Sequence, residues 1–233
     1  MAYAIRTNPI RGLAHWLFTG CMAAAGVSHV ISAQAANGLP AYCGELTNHY
    51  GPFDYRIDKA KLPIVEQYHF GPDVESLSPN EKNPGGQLAY TLKAFPNHPR
   101  ALMTLIRLGE QTGTEKPSHL PYSIKCFVLR AEVFAPDDSM VKLIAGLYYL
   151  KHRNAKLAIQ RFEEAEKLGS ANANLYYNLG LAYLEVGDNE KALENAHKAY
   201  AEGFPLPGLR NRLERAGVWR DATTATAQES KKE

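Results

Sequence analysis

A 34-residue internal repeat constrains the fold of this chain more than any other feature of its sequence. Residues 176–200 have the pattern of a helix, a short turn and a second helix, and moving this stretch back by one repeat length places it on residues 142–166. Small residues let two helices approach closely, and aromatic residues fill the space between them. The repeat therefore predicts stacked helix pairs. The positions that match are Gly180 on Gly146, Leu181 on Leu147, Tyr183 on Tyr149, Leu184 on Leu150, Ala192 on Ala158, Ala199 on Ala165 and Gly203 on Gly169.

The spacing of these positions resembles the tetratricopeptide repeat, a 34-residue helix–turn–helix unit. In the later copy the family pattern falls on Tyr176, Leu179, Gly180, Tyr183, Ala192, Ala196 and Ala199. In the earlier copy it falls on Lys142, Ala145, Gly146, Tyr149, Ala158, Phe162 and Ala165. The earlier copy departs from the family at Lys142, where an aromatic residue is expected. The resemblance implies an all-α, tetratricopeptide-like helix–turn–helix solenoid with two clear repeats.

The remaining segments are interpreted around these two copies. Upstream, residues 85–138 predict one to two degenerate repeats with a lengthened turn, and downstream a capping helix turns Leu209, Leu213 and Trp219 inward. The small, polar tail is typical of a disordered end. The predicted boundaries are a signal peptide at 1–35, an irregular cap at 36–84, degenerate helices at 85–138, repeats at 139–172 and 173–206, a capping helix at 207–219 and a tail at 220–233.

The first 35 residues have the pattern of a secretory signal peptide. Arg6 and Arg11 precede an apolar run too short to span a bilayer comfortably, and Ala33 and Ala35 lie where a signal peptidase reads small residues. An uncleaved amino-terminal anchor and a lipoprotein modified at Cys21 are the alternatives. We therefore expect an exported protein of the bacterial periplasm, associated with the membrane only if this segment is retained or lipidated.

Removing this segment changes the charge and the cysteine count. The segment holds two of the 26 basic residues and none of the 24 acidic ones, so the mature chain has 24 of each and no net charge. No basic excess remains to indicate a nucleic acid partner. Cys43 and Cys126 remain as a disulfide candidate for an oxidising compartment, or as two unrelated buried thiols.

Residues 36–84 lack a helical period over most of their length and are rich in Pro, Gly and aromatic residues. Such composition is typical of fixed turns with anchoring rings, so we expect an irregular cap on the first helices, one that could cross the concave face. This block resembles a group of secreted tetratricopeptide proteins of proteobacteria whose activity is not established. Some of those carry the label of transporter permease, but one apolar segment cannot form a permease pore.

No motif in the sequence indicates catalysis, and we expect no cofactor, no metal and no catalytic residue. The six histidines of the mature chain lack the close spacing of a metal site, and phosphate-binding and nucleophile motifs are missing. The alternative function is an enzyme or a metal- or small-ligand-binding protein with a site in residues 43–70. That site would require the segment to bring together His49, His69, Asp54, Asp58 and Glu66.

The resemblance also implies a concave binding surface on the first helix of each repeat. Its four lining positions fall on Met140, Leu143, Leu147 and Leu150, then on Asn174, Tyr177, Leu181 and Leu184. The family's clamp for acidic chain ends requires Lys and Asn where this chain has leucine and tyrosine. The apolar row favours an amphipathic helix or a hydrophobic peptide as partner. The chain's own amino-terminal segment could cover the row instead.

Overall fold

The computed structural model describes residues 38–221, and the regular secondary structure of this part is helical. The predicted all-α class is confirmed for these residues. Two 3₁₀ turns lie at Ala41–Cys43 and Lys59–Lys61. The α-helices are α1 (Leu62–His69), α2 (Pro72–Ser76), α3 (Pro84–Ala94), α4 (Pro99–Thr112), α5 (Ile124–Phe134), α6 (Ser139–Lys151), α7 (Ala155–Lys167), α8 (Ala173–Glu185), α9 (Asn189–Ala201) and α10 (Gly208–Arg215).

Side-chain caps define where the longer helices begin. An oxygen at the residue before a helix accepts a hydrogen bond from a backbone N–H that the helix itself cannot satisfy. From α5 to α9 each helix has such a cap: Ser123, Asp138, Asn154, Asn172 and Asp188. The four upstream helices have proline in the first turn, where its missing N–H costs nothing, and α3 and α4 are also capped by the side chains of Asn83 and His98.

Helices α6 to α9 form two pairs with repeated bounds. Helix α8 begins and ends one repeat length after α6, and α9 begins and ends one repeat length after α7. Glycine is required inside both pairs because the neighbouring helices approach closely. A Cβ added at Gly146 would lie 2.5 Å from the ring of Phe162, and one at Gly180 would lie 3.2 Å from the carbonyl oxygen of Ala192. We call residues 139–201 the regular pairs.

The upstream helices repeat with a longer interval than the regular pairs. Helices α5 and α6 follow α3 and α4 by the same distance along the chain, and this distance exceeds one repeat length. The turns after α3 and α5 match, since Phe95 and Ala135 share a φ of −130° and each donates its N–H to the carbonyl oxygen four residues earlier. The longer interval comes from residues 113–123, which join α4 to α5.

One apolar core runs from α2 and α3 through α10. Helix α6 contacts α7 and α8, helix α8 contacts α9, and α10 contacts both α8 and α9. Phe162, Leu175 and Leu209 are fully buried at successive levels of this core. Burial of these side chains is the main source of stability for a stack in which α6 and α8 are each only 13 residues long.

Residues 38–83, the N-terminal cap, pack beside the first helices. Two short helices, α1 and α2, form where the sequence analysis expected mostly irregular chain, because Pro63 and Pro72 lie at helix-starting positions. The Sγ atoms of Cys43 and Cys126 lie 2.04 Å apart, so the two cysteines form a disulfide that joins the cap to α5. Val65 of α1 packs against Ala94 and Phe95 at the end of α3.

A buried arginine supports the disulfide. Arg130 of α5 is 1% exposed, and its Nη1 donates to the carbonyl oxygens of Cys43 at 3.1 Å and Glu45 at 2.6 Å. Its guanidinium lies over the ring of Tyr122, 5.4 Å from the centroid. The guanidinium of Arg130 on α5 therefore provides the hydrogen bonds that two backbone carbonyls of the cap accept.

Within residues 38–221, no helix has both the length and the apolar character needed to cross a bilayer.

Candidate functional site

The eight residues predicted for the concave surface lie on two neighbouring helices, α6 and α8, and we call them the α6–α8 row. Its members are Met140, Leu143, Leu147 and Leu150 on α6, and Asn174, Tyr177, Leu181 and Leu184 on α8. Met140 is 41% exposed, whereas Leu143 is only 6% exposed and belongs to the core. Leu147, Leu150, Leu181 and Leu184 are half-buried, with one side packed on the core. The row is therefore a partly exposed apolar strip.

Residues 204–208, between α9 and the start of α10, cover part of this row at Tyr177. The ring of Tyr177 stacks on Phe204, with 4.1 Å between centroids. Gly208, at the start of α10, approaches the hydroxyl of Tyr177 so closely that a Cβ there would lie 2.6 Å from the oxygen. Tyr177 is thus a contact within the chain as well as a candidate partner contact.

The N-terminal cap lies beside other helices. Its described residues contact α3, α4 and α5, the α3–α4 turn at Asn97, the α4–α5 connection at Tyr122 and the turn before α6. The α6–α8 row is not among these contacts. The hypothesis that the amino-terminal segment crosses the concave face thus has no contact supporting it within residues 38–221.

A polar cluster fixes the cap to the turn before α6. Asp54 accepts hydrogen bonds from Arg56 Nη2 at 2.7 Å and from Asn97 Nδ2 at 2.8 Å. Asn97 Nδ2 also donates to Asp138 Oδ2 at 3.0 Å, and Arg56 forms an ion pair with Asp137 at 3.1 Å. The Arg56 guanidinium, opposed by burial and helped by the Asn97 amide, lowers the pKa of Asp54 to about 2. The cluster joins three separate segments of chain.

A second polar contact joins α1 to α4 through His98, which is fully buried. The backbone N–H of Ala101 donates to its Nδ1 at 3.2 Å, so the ring proton lies on Nε2, 3.1 Å from the Glu66 carboxylate. The ring of Phe70 lies 4.9 Å away. Burial, together with the positive charge of Arg100, lowers the pKa of His98 to about 3. His98 is therefore a neutral structural residue that caps α4.

The five residues of the alternative site do not converge. Asp54 and Glu66 belong to the two separate contacts just described, and Asp58 accepts the N–H of Asp54 at 2.7 Å. His49 is exposed, and His69 lies in a different cleft. Among residues 38–221, no three His, Cys, Asp or Glu side chains are grouped as a metal site would require.

That different cleft lies between α1 and α3, and we call it the tyrosine cleft. It has a volume of about 210 Å³. Tyr68 is 65% exposed, although the aromatic rings of residues 36–84 were expected to anchor the cap. The spacing of Ile64 and Tyr68, four residues apart on α1, was a signal that both share one outward face. The residues that line the tyrosine cleft are Tyr50, Ile64, Val65, Tyr68, His69 and Tyr90.

A larger cleft, about 350 Å³, lies where α4 and α6 end. Its polar side chains contact one another: Lys151 forms an ion pair with Glu110, and His152 Nε2 lies 2.5 Å from Glu115. Glu115 also accepts a hydrogen bond from the Tyr148 hydroxyl, with 2.9 Å between the oxygens. These contacts hold residues 113–123 against α6. The polar side chains of this cleft are therefore bound to one another within the protein.

No family model, no curated protein and no solved structure matches this chain.

Proposed function

We propose that this protein is an exported, non-catalytic protein-interaction module, a tetratricopeptide-like solenoid that presents the α6–α8 row to a partner. The partner would be an amphipathic helix or a hydrophobic peptide. The observation that carries the proposal is the repetition of helix bounds in the regular pairs, together with an apolar strip left partly exposed on the first helix of each pair. Repeat proteins use such a surface for binding.

The chemistry of the row favours an apolar partner. Leu147 and Leu181 occupy matching positions on α6 and α8, and both are half-buried. Covering them with a partner's apolar face removes the remaining exposed area from water, which favours binding. Asn174 and the exposed Met140 would lie at the edge of that contact.

The proposal of export rests on two features of different kinds. The predicted signal peptide, residues 1–35, lies outside the described residues. The Cys43–Cys126 disulfide supports an oxidising compartment, because such bonds persist outside the reducing cytosol. We propose the periplasm, with an anchor formed by the amino-terminal segment as the alternative.

A crosslinking pull-down of the tagged protein in cells tests the function. The primary variant is Met140→Asp, and its matched control is Leu168→Asp, because the two side chains are similarly exposed, at 41% and 42%, and Leu168 follows the end of α7 and is not one of the eight residues of the row. A partner captured by wild type and by the control, but lost with Met140→Asp, supports the proposal. Equal capture by all three proteins contradicts it.

The double variant Leu147→Asp/Leu181→Asp gives the stronger but less safe test. Both leucines contact the core, so circular dichroism must first show that the variant is folded. If it is unfolded, Leu147 and Leu181 act mainly in the core, and the exposed Met140 decides the question alone.

A further inference from the structure

The proposed binding of a partner at the α6–α8 row does not account for the tyrosine cleft. Helix α1 supplies one wall, and α3, which it contacts, supplies the other through Tyr90. Val65, only 2% exposed, lies at the base, whereas Ile64 and Tyr68 stand at the rim with 53% and 65% of their surface exposed. Large aromatic and aliphatic side chains left in water around one cleft mark a binding site.

Several polar atoms of this cleft are free to bond. The hydroxyls of Tyr50, Tyr68 and Tyr90 have no hydrogen-bond partner among residues 38–221. His69 Nδ1 lies 2.8 Å from Gln87 Oε1, whereas its Nε2 forms no hydrogen bond with residues 38–221. The cleft thus offers three phenol groups and one ring nitrogen for hydrogen bonding.

The described residues that line the cleft include no Asp, Glu, Lys or Arg. An ionic ligand would lose its hydration without gaining a counter-charge there. The rings of His69 and Tyr90 stack at 3.8 Å with an angle of 26° between them, which gives the cleft a firm aromatic wall. A suitable ligand is neutral, has a flat apolar face and carries hydroxyl groups along its edge.

We propose that the tyrosine cleft binds a neutral saccharide. The C–H face of one pyranose ring packs on the tyrosine rings, whose faces carry partial negative charge. Sugar hydroxyls form hydrogen bonds with His69 Nε2 and with the phenol groups. A volume of about 210 Å³ suits one sugar ring, whereas a proline-rich peptide needs an extended groove for several residues.

This site is separate from the α6–α8 row. It is formed by the N-terminal cap and α3, whereas the row lies on α6 and α8. Saccharide binding and partner binding can therefore be tested, and can fail, independently. The variant Met140→Asp should bind saccharide as wild type does.

Isothermal titration calorimetry on the chain without residues 1–35 tests the proposal with two neutral glycans, cellotriose and N-acetylchitotriose. We expect at least one to bind with a Kd on the order of 1 mM or tighter. Tyr68→Ala should weaken binding about tenfold, because it removes a rim ring. Since Tyr68 is largely exposed, this variant should stay folded, and thermal denaturation checks that it does.

The matched control is Ile57→Ala, which removes a 75% exposed apolar side chain of the cap outside the cleft and should leave the Kd unchanged. Tyr68→Phe, which keeps the ring and loses the hydroxyl, should weaken binding less than Tyr68→Ala. The proposal is overturned if neither glycan binds at about 10 mM. It is equally overturned if Tyr68→Ala leaves the Kd unchanged, or if a proline-rich peptide binds at the cleft and neither glycan does.

Discussion

The regular pairs and the N-terminal cap belong to one structure but are stabilised by different interactions. In the regular pairs, each helix meets neighbours close to it in sequence through small and aromatic side chains, such as Gly146 against Phe162. In the cap, the stabilising contacts reach far along the chain: the disulfide spans 83 residues and the Arg130 contact to Cys43 spans 87. The regular pairs depend on apolar packing, and the cap on a covalent bond and buried polar groups.

This difference indicates how each region responds to its surroundings. Apolar packing is insensitive to pH and to redox conditions. The disulfide can be reduced, and His98 and Asp54 can be protonated. We therefore expect the cap to loosen under conditions that leave the regular pairs intact.

The largest expected effect is in the regular pairs. Phe162→Ala removes a ring that is fully buried between α6 and α7, and the resulting cavity should lower the free energy of unfolding by about 3–5 kcal/mol. Urea denaturation measures the change, with Lys156→Ala on the exposed side of α7 as control, for which we expect less than about 0.5 kcal/mol. A similar small loss for Phe162→Ala would show that packing does not dominate this region.

Removal of the disulfide should act mainly on the cap. The double variant Cys43→Ser/Cys126→Ser should lower the free energy of unfolding by about 2–4 kcal/mol, because the unfolded chain gains freedom. Hydrogen exchange should rise most in residues 38–83 and in α5, and least in α8 and α9. An equal rise in both regions would contradict the comparison between them.

Acidification should also act on the cap, through His98. Its pKa is about 3 in the folded protein against 6.5 for an ordinary histidine, so the unfolded chain takes up a proton that the folded chain does not. Stability should therefore fall as the pH drops below 6.5, by roughly 2–3 kcal/mol from pH 6.5 to 4.5. Asp54, with a pKa of about 2 in the folded protein against 3.8, loses its contribution only below about pH 4.

Urea denaturation across this pH range measures the slope of the free energy of unfolding against pH. His98→Asn keeps a capping side chain and cannot titrate, so its slope should be flatter than that of wild type. The control is His119→Asn, at an exposed residue with a φ of 65° that asparagine tolerates, and its slope should equal that of wild type. Equal slopes for wild type and His98→Asn would show that His98 does not link stability to pH.

The smallest effect is expected from the exposed salt bridges on helices α6 to α9. Glu194 lies 2.7 Å from Lys198 on α9, four residues away, and both side chains are largely in water. Glu194→Ala should change the free energy of unfolding by no more than about 0.5 kcal/mol, with no dependence on disulfide reduction. Chemical denaturation with and without reductant checks this, and a loss above about 1 kcal/mol would mean that charge matters in this region too.

Much of the helical part could be predicted from the sequence because its signals are local and repeated. The repeat interval, the paired glycines Gly146 and Gly180 and the capping residues before the helices are all read from short stretches of chain. Such signals specify where a helix begins and which face it buries. The positions of the α6–α8 row follow from the same period.

The candidate sites were less predictable. The sequence left open whether Cys43 pairs with Cys126, and it grouped Glu66 with His69 although Glu66 contacts His98. It also predicted that the aromatic rings of residues 36–84 anchor the cap, whereas the Tyr68 ring lies largely in water. In a segment without a helical period, no local pattern says which ring turns inward.

The sequence by itself determined the helical class and the register of the regular pairs. Helical periodicity is a short-range property, and both copies of the repeat show it. Only the tertiary structure decided how the cap is fixed. Among its contacts are Glu66 with His98, 32 positions apart, and Cys43 with Arg130, 87 positions apart. Each of these occurs once, and pairings of that kind depend on how the whole chain closes on itself.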